Sequence, residues 1–341
     1  MTQSDATPTT NQRRANRWQV ICAGLLLAIP LVSYGSLHFR RPPLKPSAQT
    51  LFRGITYERT IQTTPRPHVI HTVAIDLQAA GIEALVTPGA SGDDERDVHA
   101  AKTSDFLEAS GVQLAINANY FSQFSEETPW RYSPHTGDRV NVIGAAISNQ
   151  QQYSRSQRQW PALCFSPDRS AHIDQTGTCP ADTAHAIAGK AILVADGVSA
   201  INPKAQTQDK PYARVAVGLN ADGTQLWLVV VDGKQPLYSE GLTEAELAEV
   251  FLDLGADIAL NLDGGGSTTL VIDTPSGPKA LNAPIHTKLP MRQRPVANHL
   301  GFYANPQNQS SLTTILSSSV RFLALHLINN QSHVQSGSPQ G

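Results

Sequence analysis

The chain has 341 residues, 40% hydrophobic and 16% charged, enough for one large domain or two small ones around a real core. A net charge of −2 and an isoelectric point near 6.6 give no indication of a nucleic-acid partner, which usually needs a basic stripe. Plentiful Gly (24) and Pro (23) with 6% aromatics favour a turn-rich, strand-rich domain over a helical bundle.

Residues 1–17 form a polar N-terminal tail. Arg13, Arg14 and Arg17 then precede an apolar run over 20–32, followed by the small residues Ser33 and Gly35. Basic flank, apolar core and small residues read as a signal peptide or a signal-anchor helix over 18–37. A full membrane span needs about 20 apolar residues. The run approaches that length only by including Ser33, Tyr34 and Gly35, and Ser33 and Gly35 also fit a cleavage site. Arg40, Arg41 and Lys45 weaken the charge contrast, but the N-terminus inside and the domain outside is the preferred arrangement. The expected location is extracytoplasmic, periplasmic or secreted, with a membrane anchor unless the segment is cleaved. Residues 38–50 read as a Pro-rich linker, 51–305 as the folded domain, and 306–341 as a peripheral helix and polar tail.

Strands are expected at 69–77 and 82–86, a helix at 98–109 ended by Gly111, and a strand at 112–117. The stretches 122–140 and 149–183 are polar and irregular, and loops of this length are functional or mobile. Cys22 lies in the apolar run. Cys164 and Cys179 share a polar, loop-rich stretch, where an exported chain favours a disulfide over two unrelated thiols. Further strands are expected at 187–194 and 215–219. The continuous apolar run 226–231 suits a strand buried on both faces.

A helix at 243–254 opens on a capping box, Thr243 with Glu246. Leu247, Val250, Phe251 and Leu254 make one apolar face, Glu244 is solvated, and Gly255 ends the helix. The expected class is α+β, a strand-rich mixed sheet flanked by helices, preceded by one N-terminal apolar signal or anchor helix.

The most informative stretch is 258–273. An apolar run ends in Asp263, three glycines follow (Gly264, Gly265, Gly266), then Ser267-Thr268-Thr269 and a second apolar run. No Lys follows the glycines, so it is not a P-loop, and contiguous glycines before a strand do not make a dinucleotide fingerprint. No G-x-S-x-G elbow surrounds Ser267. Strand, helix, strand places Asp232 and Asp263 at the C-terminal ends of two strands. If those strands are parallel neighbours, both carboxylates face one crevice.

Together with 116–121, 214–218, 232–236, 238–241 and 294–298, this stretch resembles the phosphodiester glycosidase family over roughly 117–302. The resemblance implies hydrolysis of a sugar-1-phosphodiester of an envelope glycan at the anomeric C–O bond, with N-acetylglucosamine as a model sugar. Such chemistry needs a carboxylate near the ring and donors for the departing phosphate. Asp263 is the first choice for that carboxylate, Asp232 its partner, and Glu240 a third acid. Arg214 and Arg294 are phosphate-clamp candidates, and 264–268, from Gly264 through Ser267 and Thr268, can supply backbone N–H groups. Asn117, Asn119 and Asn298 can hydrogen-bond sugar hydroxyls or an acetamido group. Simpler readings exist: Asp232 in a turn, Arg214 in a structural ion pair, the asparagines at strand ends. No cofactor is required. Asp232, Asn261 and Asp263 offer the hard oxygens that calcium or magnesium takes, which leaves a divalent cation open. A P–O-cleaving phosphodiesterase and a non-catalytic, membrane-tethered glycan-binding module are the competing readings.

Overall fold

The computed structural model describes residues 10–90, 97–155, 160–202 and 209–307. The loop expected at 91–96 and the helix expected at 312–328 lie outside them.

Eight strands form the main sheet, in the order Ser47–Phe52, Ile55–Gln62, His68–Asp76, Gln225–Val231, Arg214–Leu219, Ile258–Asn261, Ala191–Ala195 and Val198–Ser199. A second sheet has the order Lys279–Ala280, Leu270–Ile272, Leu114–Asn117, His299–Tyr303 and Glu83–Val86. A third runs Gln151–Ser154, Ala146–Ser148, His185–Ala188, Ala162–Phe165 and Ala171–Asp174. Helices are few, so the chain is strand-rich as expected. The sheets are not mixed: within all three, neighbouring described strands pair antiparallel.

The three sheets meet in one core. Ile55, Val73, Ile75, Val217 and Leu228 of the main sheet pack with Leu114, Ile116, Leu270 and Phe302 of the second and with Leu163, Phe165 and Ile187 of the third. The other face of the main sheet is covered by the helix Glu244–Asp253, through Leu247, Ala248 and Phe251 against Ala216, Val229, Val231 and Ala259. The run 226–231 is therefore buried on both faces: Leu226, Leu228 and Val230 enter the first core, Val229 and Val231 the second. Gly218 lets the Phe251 ring lie on the strand, since a Cβ there would fall 2.6 Å from it. The capping box forms: Thr243 Oγ1 accepts from the Glu246 N–H at 3.2 Å, and the Thr243 N–H donates to Glu246 Oε2 at 2.9 Å. Gly255 follows at φ +80°, the left-handed turn that ends the helix.

The helix expected at 98–109 begins later, at Thr103, because Val98–His99 pairs with Arg139–Val140 as a strand. A helix spans Thr10–Phe39, yet no helix among the described residues is long and apolar enough to cross a membrane. Past that helix, Pro42 accepts from the Tyr238 hydroxyl at 3.1 Å, and the Arg41 guanidinium lies 5.2 Å from the centre of the Tyr238 ring.

Cys164 and Cys179 are joined as a disulfide, with Cα atoms 5.8 Å apart. It ties the buried strand Ala162–Phe165 to a loop whose turn is held by Asp174 Oδ1, which accepts from the Thr176 and Thr178 N–H groups. Closing a 15-residue loop removes about 3 kcal/mol of unfolded-state entropy. Replacing both cysteines with Ala is expected to lower unfolding stability by roughly that amount, read as a shift in urea midpoint. An unchanged midpoint would make the bridge incidental.

Candidate active site

The glycine run is a crossing between sheets. The strand Ile258–Asn261 belongs to the main sheet and Leu270–Ile272 to the second, so the two do not form a hairpin. Asp263 sits at the crossing. Its N–H donates to the Ala118 carbonyl at 3.1 Å, and its carbonyl accepts from Asn117 Nδ2 at 2.6 Å. Gly265 adopts φ +63°, in the left-handed region. Gly266 carries the Arg294 guanidinium directly on its Cα, for a Cβ there would lie 2.4 Å from Arg294 Nη2.

Beside this crossing lies a cavity of about 450 Å³. Its charged lining comprises Asp263, Glu126, Glu244, Arg214, Arg294, Lys190 and Lys234, and its aromatic lining Tyr120, Phe121, Phe124 and Tyr212. Arg294, 7% exposed, organises one wall. Its Nη1 donates to Ser267 Oγ at 3.1 Å, Nη2 to Glu126 Oε2 at 2.5 Å, and Nε to His286 Nδ1 at 3.3 Å, while the guanidinium lies 4.3 Å from the centre of the Phe124 ring.

These contacts separate the acids. Burial pushes the Asp263 carboxyl up to about 6, against the opposing pull of the Ser267 hydroxyl, the Arg294 charge and the Gly264 N–H. Burial also raises Glu126, but the hydrogen bond and charge of Arg294, with Lys234 and His286, outweigh it and hold Glu126 below the usual carboxylate range. Burial, then the Arg294 charge, lowers His286 to about 4, so it is a neutral acceptor for Arg294 near pH 7.

Four of the residues expected from sequence line the cavity: Asp263, Gly264, Arg214 and Arg294. Ser267 lies just behind them, between Asp263 and Arg294. Arg214 is committed to structure. Its guanidinium donates to Asp209 Oδ1 at 2.7 Å, Glu244 Oε1 at 3.0 Å and the Leu242 carbonyl at 3.2 Å, so it is neutralised on two sides. Glu244, expected to be solvated, is its partner.

The other expected residues are placed elsewhere. Asp232 does not face the cavity. Gln225–Val231 and Ile258–Asn261 run in the same direction but flank Arg214–Leu219, so they are not neighbours. The Asp232 carboxylate is buried, bound to His71 Nε2 at 3.0 Å, Asn282 Nδ2 at 3.1 Å and the Ala283 N–H at 2.8 Å. The cation site proposed around Asp232, Asn261 and Asp263 is therefore not assembled, and no cluster of three or more metal-ligating side chains occurs among the described residues. Glu240 is exposed on the surface, outside the cavity lining.

Asn117, Asn119 and Asn298 are fully buried and spent on the protein itself. Asn117 Oδ1 accepts from the Thr269 N–H, Asn119 Nδ2 donates to the Ile143 and Ala145 carbonyls, and Asn298 pairs with Asn119. They hold the crossing in place and do not reach a ligand. Part of the backbone cradle is also occupied. The Gly265, Ser267 and Thr268 N–H groups donate within the protein, to the Ala213, Gly264 and Gly265 carbonyls.

Glu126, Lys190 and Lys234 were missed. Lys234 lies inside the quoted 232–236 motif, and Glu126 in the irregular 122–140 stretch, on the short hairpin Ser125–Glu126 with Tyr132–Ser133. Nothing in the sequence singles out Lys190. Both ammonium groups are exposed, and no carboxylate among the described residues is within salt-bridge distance of either. Lys234 Nζ lies 5.1 Å from the centre of the Tyr212 ring.

The family model described as phosphodiester glycosidase matches residues 110–303, more than half of the chain. The chain belongs to the phosphodiester glycosidase family. All the cavity residues fall within the matched segment. No curated protein matches the sequence. Among solved structures, the catalytic domain of zebrafish N-acetylglucosamine-1-phosphodiester alpha-N-acetylglucosaminidase, described as auto-inhibited by its pro-peptide, is similar with a TM-score of 0.55 at 20% identity. That match covers 79% of this chain and 93% of the zebrafish one. A hypothetical protein from Synechocystis is similar with a TM-score of 0.57 at 15% identity, over 78% of this chain and 64% of that one. A putative exported protein from Burkholderia pseudomallei gives 0.50 at 16% identity, over 70% and 74%. At such identities the likeness is one of fold. The family is one of hydrolases, described as acting on phosphodiester glycosides.

Proposed function

We propose that this chain hydrolyses a sugar-1-phosphodiester of an extracytoplasmic glycan at the anomeric C–O bond, releasing free sugar and a phosphomonoester. One observation carries the reading. A half-buried carboxyl pushed up to about 6, Asp263, shares its cavity with two exposed ammonium groups, Lys190 and Lys234, that form no salt bridge with any described carboxylate. A carboxylate meets the oxocarbenium-like charge that builds on the sugar ring. The cations meet the negative charge that builds on the departing phosphate.

In this scheme water adds to the anomeric carbon and gives a proton to Asp263. The bond from that carbon to the phosphate oxygen breaks, and its electron pair leaves with the phosphate. A phosphomonoester is a good leaving group, so no strong acid is needed at that oxygen. Tyr120, Phe121, Phe124 and Tyr212 supply ring faces for the sugar. The basic flank, apolar run and small residues over 13–35 support an exported chain tethered by its N-terminal segment.

The test is hydrolysis of an N-acetylglucosaminyl-1-phosphodiester in heavy-oxygen water. Label in the released sugar is the expected result. Label in the phosphate, or release of a sugar phosphate, would mean phosphodiesterase chemistry, and binding without turnover a glycan-binding module. Removing both ammonium groups, Lys190→Ala with Lys234→Ala, is expected to lower kcat/KM by about 10²-fold or more. An unchanged kcat/KM would take phosphate stabilisation away from them.

A further inference from the structure

The exposed large hydrophobic side chains are not scattered. Among the described residues, all but Val198 belong either to the N-terminal segment (Trp18, Ile29, Val32, Tyr34, Phe39 and Leu44), to the cavity lining or to loops that carry cavity residues. Phe124 and Tyr212 line the cavity itself. Trp130 and Leu237 do not. They are 80% and 92% exposed, at the tips of the two loops that carry the cavity residues Glu126 and Lys234.

Both tips are built to project. Trp130 sits in the turn of the hairpin, where the Glu127 N–H donates to the Arg131 carbonyl and the Pro129 carbonyl accepts from Arg292. Leu237 has φ +66°, in a tight turn closed by the Ser239 N–H on the Gln235 carbonyl at 2.9 Å. Leu237 thus presents a large apolar side chain to water from a left-handed position that such residues seldom adopt.

The N-terminal segment leaves the domain at this same place. Arg41 and Pro42 are held on Tyr238, the residue next to Leu237, and the helix Thr10–Phe39 touches the strand Leu289–Pro290. The turn before that strand ends in the exposed cation Lys288, and Arg40 is exposed beside Arg41. An aromatic tip, an aliphatic tip and interspersed cations, continuous with a segment whose apolar side chains are also uncovered, match the interface between water and an anionic bilayer.

We propose that the mouth of the cavity docks on an anionic lipid surface through Trp130 and Leu237, so that the glycosyl phosphodiester it takes is one whose second ester is borne by a membrane lipid. The choice of substrate rests on the hydrolysis proposed above, whereas the docking does not. Docking would set the two ammonium groups at headgroup height, where such a diester lies.

The test uses the full chain in vesicles of phosphatidylcholine with phosphatidylglycerol, carrying acyl chains labelled with a fluorescence quencher. Wild-type protein should show more quenching of tryptophan emission than the Trp130→Phe variant, in which Trp18 of the N-terminal segment still reports. Equal quenching in both would leave Trp130 in water and overturn the docking. In the second arm, the double variant Trp130→Ser with Leu237→Ser should lose about tenfold or more of its turnover of a vesicle-embedded glycosyl phospholipid. Its turnover of a soluble diester should stay at the wild-type level. Equal losses on the two substrates, or none on either, would overturn the lipid substrate. If neither substrate is turned over by wild type, the hydrolysis reading fails and the quenching arm alone decides the docking.

Discussion

Asparagine in place of Asp263 is expected to lower kcat by about 10³-fold, within the range for losing a positioned carboxylate base. The wild-type pH profile should show why. With the Asp263 carboxyl pushed up to about 6 by burial, kcat/KM should climb as pH rises towards that value and flatten above it. D263N should lack this limb. A rate that falls through the same range would instead make Asp263 the acid and leave Glu126, held as a carboxylate by Arg294, as the base. Stability should move the other way from activity. The folded state binds the Asp263 proton more tightly than the unfolded chain, whose carboxyl titrates near 3.8. Folding is therefore penalised above about 6, and the penalty fades as pH falls to the unfolded value. The gap amounts to about 3 kcal/mol at most. Partial solvent contact reduces the expected gain in D263N to roughly 1–2 kcal/mol at pH 7.5, absent near pH 3.5. Thermal melts of the two proteins at both pH values measure it, and a variant that is less stable at pH 7.5 would contradict a strained carboxylate.

Local pattern carried the elements whose cause is local. Thr243 and Glu246 announce the helix start, and the apolar run 226–231 announces a strand with two covered faces. The glycine run marked the crossing, because Gly265 needs positive φ and Gly266 must let Arg294 lie on its backbone. What could not be read was the order of strands. Arg214–Leu219 pairs with the strand that follows it in a hairpin, and its other edge takes Ile258–Asn261. That insertion separates Asp232 from Asp263, and no residue near either reports it. The asparagines failed for a related reason. A sequence shows an amide at a strand end but not whether carbonyls from distant loops will consume it, as Ile143 and Ala145 consume Asn119. Glu126 was hidden because its neighbours have no periodicity; its role comes from residues distant in sequence, above all Arg294, 168 residues away.

Alanine in place of Asp232 is expected to cost about 3–5 kcal/mol, because it strips three buried donors of one acceptor group. The His71 Nε2, the Asn282 Nδ2 and the Ala283 N–H all end on this carboxylate, and both the Asp232 and His71 side chains are wholly shielded from solvent. Beyond His71 the Tyr57 hydroxyl closes the chain on Nδ1 at 2.8 Å. The network joins the strands Ile55–Gln62, His68–Asp76 and Gln225–Val231 to the loop at 282–283, so the loss should be global, with cooperative melting at lower urea. Asp232→Asn keeps the shape but turns one acceptor into a donor facing donors, and should fall between Ala and wild type. The activity change has a distinct form. Asp232 touches no cavity atom, but its carbonyl accepts from Ser239 Oγ at 2.5 Å and so fixes the loop that presents Lys234. At temperatures where D232N stays folded, its loss should appear mainly in KM for the diester and should not add to that of Lys234→Ala in the double variant. A folded D232N with wild-type stability and no turnover would return Asp232 to the reacting atoms, and would mean that the cavity opens further towards His71 when substrate binds.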